Sequence, residues 1–200
     1  MTGILPQAVP APHRTAQLVT DGLEPKNWII AVTLLVGWHA DRAAGVAWGL
    51  FAALFTGVVP ILWIKWGQRR GYWGDRHVRR RQDRLLVIPG IMASVALGVT
   101  FMFVFDAPRE MTALVIAMLA TLVAILALTT VWKVSVHTAV SSGAVTMLAL
   151  AYGPWALAAF PLVALVGWSR IRLKDHTPAQ VVVGTVLGAC AAGVTFVLAR

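Results

Sequence analysis

Pro178-Ala-Gln-Val-Val-Val-Gly-Thr-Val-Leu-Gly-Ala-Cys-Ala-Ala-Gly-Val-Thr-Phe-Val-Leu198 runs for 21 residues without a charge. At a helical rise of about 1.5 Å per residue it reaches roughly 30 Å, the thickness of a bilayer's hydrocarbon core. Read outward from it, the chain repeats the pattern. Ala43–Ile64, Leu85–Phe105 and Met111–Val131 are further apolar runs of spanning length. Leu23–Ala40 carries Glu24 and Lys26 near its start, Val134–Tyr152 is interrupted by His137, Ser141 and Ser142, and Pro154–Trp168 is short. The expectation is an all-α, polytopic membrane bundle of six or seven transmembrane helices. The turns between runs are brief (Asp41-Arg42, Asp106–Glu110, Gly153-Pro154), so neighbours run antiparallel in one domain over residues 23–200.

Composition agrees with lipid as the solvent. Of 200 residues, 58% are hydrophobic and 12% charged, and mean hydropathy is +0.76. Soluble domains carry about twice that share of charge. Residues 1–22 hold Pro6, Pro10 and Pro12 and no sustained apolar stretch. They read as a flexible or surface-lying arm without the apolar core of a cleaved signal peptide. Cys190 is the single cysteine, which excludes an internal disulfide, and it reads as a packed core thiol. Most of the nine tryptophans, Trp28 among them, fall near helix ends and read as an interfacial belt.

Charge placement orients the bundle. Two helices separate the arginine-rich segment Trp66–Arg84 from Lys133–His137, and two more separate that from Ser169–Thr177. All three therefore share one membrane face. With seven helices that face carries fourteen Lys and Arg, and the opposite face carries Arg42, Arg109 and Arg200. The positive-inside rule makes the basic face cytoplasmic. The net charge of +9 sits on membrane loops with no nucleic-acid-binding fold to present it, so nucleic acid is not an expected partner. No acidic residue stands in mid-membrane, which argues against an ion relay.

Polar residues converging at helix ends of such a bundle are the candidate chemistry. Arginine grips phosphate oxygens bidentately, and histidines beside it supply a nucleophile and a proton donor near neutral pH. Thr177 is a good N-cap and Pro178 a good first helical residue, so His176 stands just before a helix N-terminus that favours anions. His137 and Ser141, four apart, share a helix face.

These residues resemble the type 2 phosphatidic acid phosphatase (PAP2) superfamily, which includes the vanadium haloperoxidases and has the motifs KxxxxxxRP, PSGH and SRxxxxxHxxxD. Ser169-Arg170, five residues and His176 match the third motif. Ser135-Val136-His137 keeps the serine and histidine of the second. His77, six residues, Arg84 and Leu85 match the first weakly. The resemblance implies a PAP2-like fold and a metal-independent phosphatase acting on a lipid phosphate or a prenyl or polyprenyl (di)phosphate. It makes His176 the nucleophile that becomes a phosphohistidine and His137 the acid for the leaving oxygen. Arg84 and Arg170 would hold phosphate, with Ser135 stabilising developing charge; His77 would stand on the phosphate at the motif lysine position, with Lys133, Arg80 or Arg81 supplying the lost charge. Gln180 stands where the family has the aspartate that orients the nucleophile, and Asp175 is expected to point elsewhere. No cofactor is expected; the partners are membrane lipid and substrate, with oligomeric state open. Two other readings use the same residues. One is C–O cleavage or cyclisation of a prenyl diphosphate. The other is an impaired site that binds or moves anionic lipid, which the departures Gln180, Leu85 and Val136 favour.

Overall fold

The computed structural model describes residues 11–73 and 81–200, which form helices joined by turns, bends and short irregular stretches, with no strand among them. The helices are α1 (Ala11–Gly22), α2 (Pro25–Ala53), α3 (Val59–Arg69), α4 (Arg81–Val104), α5 (Arg109–Val131), α6 (Val136–Tyr152), α7 (Phe160–Arg172) and α8 (Pro178–Ala199). A π-helical turn, Leu54–Val58, joins α2 to α3, and a 3-10 turn, Pro154–Ala159, leads into α7.

Among the described residues, five helical stretches are long and apolar enough to cross a membrane, and Val136–Tyr152 is a shorter apolar helix beside them. The first stretch, Arg14–Arg69, is not one rod. At Asp41 and Arg42 the backbone leaves helical geometry, and Arg42 takes φ +44°. The two halves fold back as a hairpin, as the Asp41-Arg42 turn led us to expect. A Cβ on Gly37 would lie 2.3 Å from the Gly45 carbonyl oxygen, and one on Gly49 would lie 2.6 Å from that of Thr33. Only glycine lets the backbones come this close.

The same device joins α6 to α8. A Cβ on Gly184 would meet the Ser135 carbonyl oxygen at 2.6 Å, and one on Gly188 would meet that of Ala139 at 2.0 Å. Along this seam Thr138 Oγ1 donates to the Val181 carbonyl (3.1 Å) and Ser142 Oγ to that of Thr185 (2.8 Å). Small residues and short hydroxyls replace hydrophobic drive, which is weak between helices in lipid. Helices α2 and α5 pack on this pair and α4 packs on α5, with Val36, Met111, Leu114, Val145 and Phe196 fully buried in the core.

Three expectations change. Residues 11–22, read as part of an arm, form a helix packed on α7, and buried Thr20 Oγ1 donates to Ser169 Oγ at 3.0 Å. Trp28 is 8% exposed and belongs to the core rather than the belt. Cys190 is exposed on the outer side of α8, not packed inside. Both helices are apolar on every side, so composition does not distinguish the lipid face from the core.

Candidate active site

The spacing of Ser169, Arg170 and His176 has a local cause. Helix α7 ends in a Schellman motif. The Lys174 N–H donates to the Ile171 carbonyl (2.9 Å) and the Asp175 N–H to that of Arg170 (3.1 Å), while Lys174 itself takes φ +57°. The His176 N–H also donates to the Arg170 carbonyl, at 3.3 Å. Five residues are what this reversal consumes, and it returns His176 to the side of Arg170. The next residue, Thr177, caps α8 in a capping box with Gln180.

Gln180 has a second duty. Its Oε1 accepts the Thr177 N–H at 3.2 Å, which fixes the amide orientation, and lies 3.1 Å from His176 Nδ1. An oxygen that accepts can only be met by Nδ1–H. The proton therefore sits on Nδ1, and Nε2 carries the lone pair. His176 is 6% exposed. Burial, then the positive charges of Arg84, Lys133 and Arg170, hold its imidazole down to about 3 against the bond from Gln180 that raises it. The side chain is neutral across the physiological range, the form in which Nε2 is a nucleophile.

The extended stretch before α6 is gripped by groups from three other segments. Arg84 Nη1 donates to the Val134 carbonyl (2.7 Å), the Ser135 N–H donates to the Gln180 carbonyl (3.2 Å), and Lys133 Nζ donates to the Asp175 carbonyl (2.8 Å). Arg84, Lys133, Arg170, His176 and Gln180 are thus assembled at one end of the bundle. Arg170 Nη2 lies 2.7 Å from Asp175 Oδ2, both side chains being buried. The Asp175 carboxylate points at Arg170 and not at His176, as expected.

Ser135 is fully buried and caps α6, its Oγ accepting the Thr138 N–H at 3.4 Å. His137 is 7% exposed and lines the space that adjoins this cluster at Arg84. A cavity of about 350 Å³ lies between α2, α3, α4, α5 and α6. At the end nearest the site its lining includes Glu24, Lys26, Lys65, Arg84 and His137. Further in, it is almost wholly Ile, Val, Leu, Met, Ala and Gly. Arg84 is the residue common to this cavity and to the cluster around His176. His77 lies outside the described residues, as does the side chain of Arg81. Among the described residues no group of three or more His, Cys, Asp or Glu could hold a metal ion.

Sequence reasoning did not select Asp175 as the partner of Arg170, nor Lys26 and Lys65 as cavity residues. Lys26 and Lys65 carry no motif and read as membrane-end charges. For Asp175 the available signal was the Arg-x4-Asp spacing across a helix end.

Residues 131–200 match the family model of the PAP2 superfamily. That segment of the chain carries the PAP2 pattern, in agreement with the resemblance carried by Ser135, His137, Arg170 and His176. It supports a phosphatase-family function for an integral membrane helical protein. No curated protein and no solved structure matches the chain.

Proposed function

We propose that the chain is a membrane phosphatase that hydrolyses an amphiphilic phosphate monoester or diphosphate through a phosphohistidine at His176, on the cytoplasmic face. The observation that carries this reading is the state of His176. It is neutral, its Nδ1 proton is held by Gln180, and its ring lies within the field of the charges of Arg84, Lys133 and Arg170. That is a nucleophile set inside a ready-made anion site, and preorganised charge is the main catalytic resource in phosphoryl transfer.

In the first half-reaction Nε2 attacks phosphorus. The bond from phosphorus to the leaving oxygen breaks, and protonated His137 gives its proton to that oxygen. In the second, water attacks phosphorus, the P–N bond breaks, His137 takes a proton from the water, and inorganic phosphate leaves. Arg84, Arg170 and Lys133 hold the phosphoryl oxygens throughout. Asp175 is a positioning residue that holds Arg170.

The cavity supports a lipid substrate: cationic groups and His137 at one end, an apolar shaft behind them. Prenyl C–O cleavage draws no support from it, because no Phe, Tyr or Trp is among its described lining residues to stabilise a carbocation. The test is hydrolysis of phosphatidic acid, prenyl diphosphates and polyprenyl phosphate by the detergent-purified protein with EDTA present, alongside His176→Ala. Phosphate release that disappears in the variant supports the reading. Diphosphate release with a rearranged hydrocarbon replaces it with C–O cleavage, and lipid binding without turnover replaces it with a binding protein.

A further inference from the structure

The cavity is closed at depth. From Arg84 to Val95 on α4 its lining spans eleven residues, and from His137 to Met147 on α6 it spans ten. At about 1.5 Å per residue both walls give a depth of roughly 16 Å. The lining ends near Val95, Met118 and Met147. In the same core cluster Met102, Met111 and Phe196 are at most 1% exposed, so the shaft has a packed floor. The volume of about 350 Å³ lies at the small end of ligand sites, which suits one chain and not two side by side.

We propose that this shaft is a length gauge for a single-tailed amphiphile: the anionic head stays at Arg84 and His137, with Lys26 and Lys65 at the rim, and one chain of about fourteen carbons fills the shaft to Met147. The carbon number follows from an extended chain's advance of about 1.2 Å per bond over that depth. The lining charges are complementary to such a head: three cations, Lys26, Lys65 and Arg84, against the one carboxylate of Glu24, which pairs with Lys26. The inference rests on the phosphate-lipid reading of the site and adds the tail number and length it takes. Residues outside the family-matched segment build most of the gauge.

Gly57, on the π-helical turn, gives an internal control. It lines the shaft eight residues inward of Lys65, and a Cβ there meets nothing nearer than Ile29 Cγ2 at 3.8 Å. A larger side chain at this position projects into the shaft without a backbone clash.

The experiment is binding of n-alkyl phosphonates of 8 to 20 carbons to the protein in nanodiscs, compared at each length with Gly57→Leu and Met147→Ala so that partition into the bilayer cancels. Phosphonates are not hydrolysed, so the result is independent of turnover. Wild-type affinity should rise about fourfold per added CH₂ and level off near fourteen carbons. Gly57→Leu should move that break to about ten carbons and Met147→Ala should lengthen it by about three. An affinity that climbs without a break, a break that neither variant moves, or a two-tailed phosphatidate binding as tightly as the single-tailed series overturns the gauge. A preserved break in a protein that turns over no phosphate lipid overturns the phosphatase reading and leaves the gauge standing.

Discussion

Asp175 holds Arg170 at both ends of the residue: its Oδ2 lies 2.7 Å from Arg170 Nη2, and its backbone N–H donates to the Arg170 carbonyl at 3.1 Å. The ion pair is buried, so its loss takes one counter-charge from a guanidinium held away from water. Breaking such a pair from one side costs about 3–5 kcal/mol. Asp175→Ala is expected to lower the thermal unfolding midpoint of the detergent-solubilised protein. Asp175→Asn keeps the shape and should mainly loosen the phosphate grip, lowering kcat/KM by about 10- to 100-fold with a smaller change in unfolding. Equal activity in the Asp175→Asn variant and the wild type would remove Asp175 from the positioning of Arg170.

Gln180 sets the His176 tautomer without supplying charge. Gln180→Glu restores a carboxylate at hydrogen-bond distance from Nδ1. A carboxylate stabilises the positive ring that forms on attack, so turnover should rise, by up to the roughly 10⁴-fold that the comparable aspartate contributes in serine proteases. Gln180→Leu removes the acceptor and half of the capping box, and its turnover should fall. Stopped-flow phosphate release should be fastest for Gln180→Glu, intermediate for the wild type and slowest for Gln180→Leu; any other order contradicts the orienting role.

The depressed His176 value has a pH consequence. With the folded group at about 3 and its ordinary value at 6.5, the unfolded chain binds the proton first as pH falls. The stability from this group is therefore complete above about 6.5 and is lost as pH falls toward 3. Unfolding midpoints of wild type should drop from pH 7.5 to pH 4.5 more steeply than those of His176→Gln. In kcat/KM, the acid limb should show no loss of the nucleophile between pH 7 and 5.

Lys174 occupies the left-handed position of the Schellman motif that glycine normally fills. A side chain there costs roughly 1 kcal/mol. Lys174→Gly should raise the unfolding midpoint, while the hydrogen bonds that return His176 to Arg170 remain. Thermal unfolding together with phosphate release checks both halves of the statement.

Much of the bundle was legible because spanning runs need some twenty apolar residues, and few soluble sequences contain them. Ser169, Arg170 and His176 were legible because the reversal that joins α7 to α8 fixes their spacing. The cavity was not. Its walls are Ile, Val, Leu and Met of the same kind that face lipid, and in helices apolar all round no period separates the two. Trp28 and Cys190 were assigned to the wrong sides for that reason. Thr20 was not legible either, since its partner Ser169 lies 149 residues away and α1 carries no motif.

The hairpin closed at Asp41-Arg42 divides labour along the chain. Residues 131–200 contain His137 and His176 yet furnish only one wall of the shaft, through Val136, Val140, Met147 and their neighbours on α6 and Ala192 on α8. The remaining walls come from the hairpin and from α4 and α5, and of their lining residues it is Arg84 whose charge acts on His176. Appetite and chemistry are therefore separately inheritable. On the proposed reading, substitutions at Ile29, Gly57, Ile91 or Met118 change which lipid is admitted while the hydrogen bonds at His176 stay in place, so close relatives of this chain would diverge in diet before they diverge in mechanism.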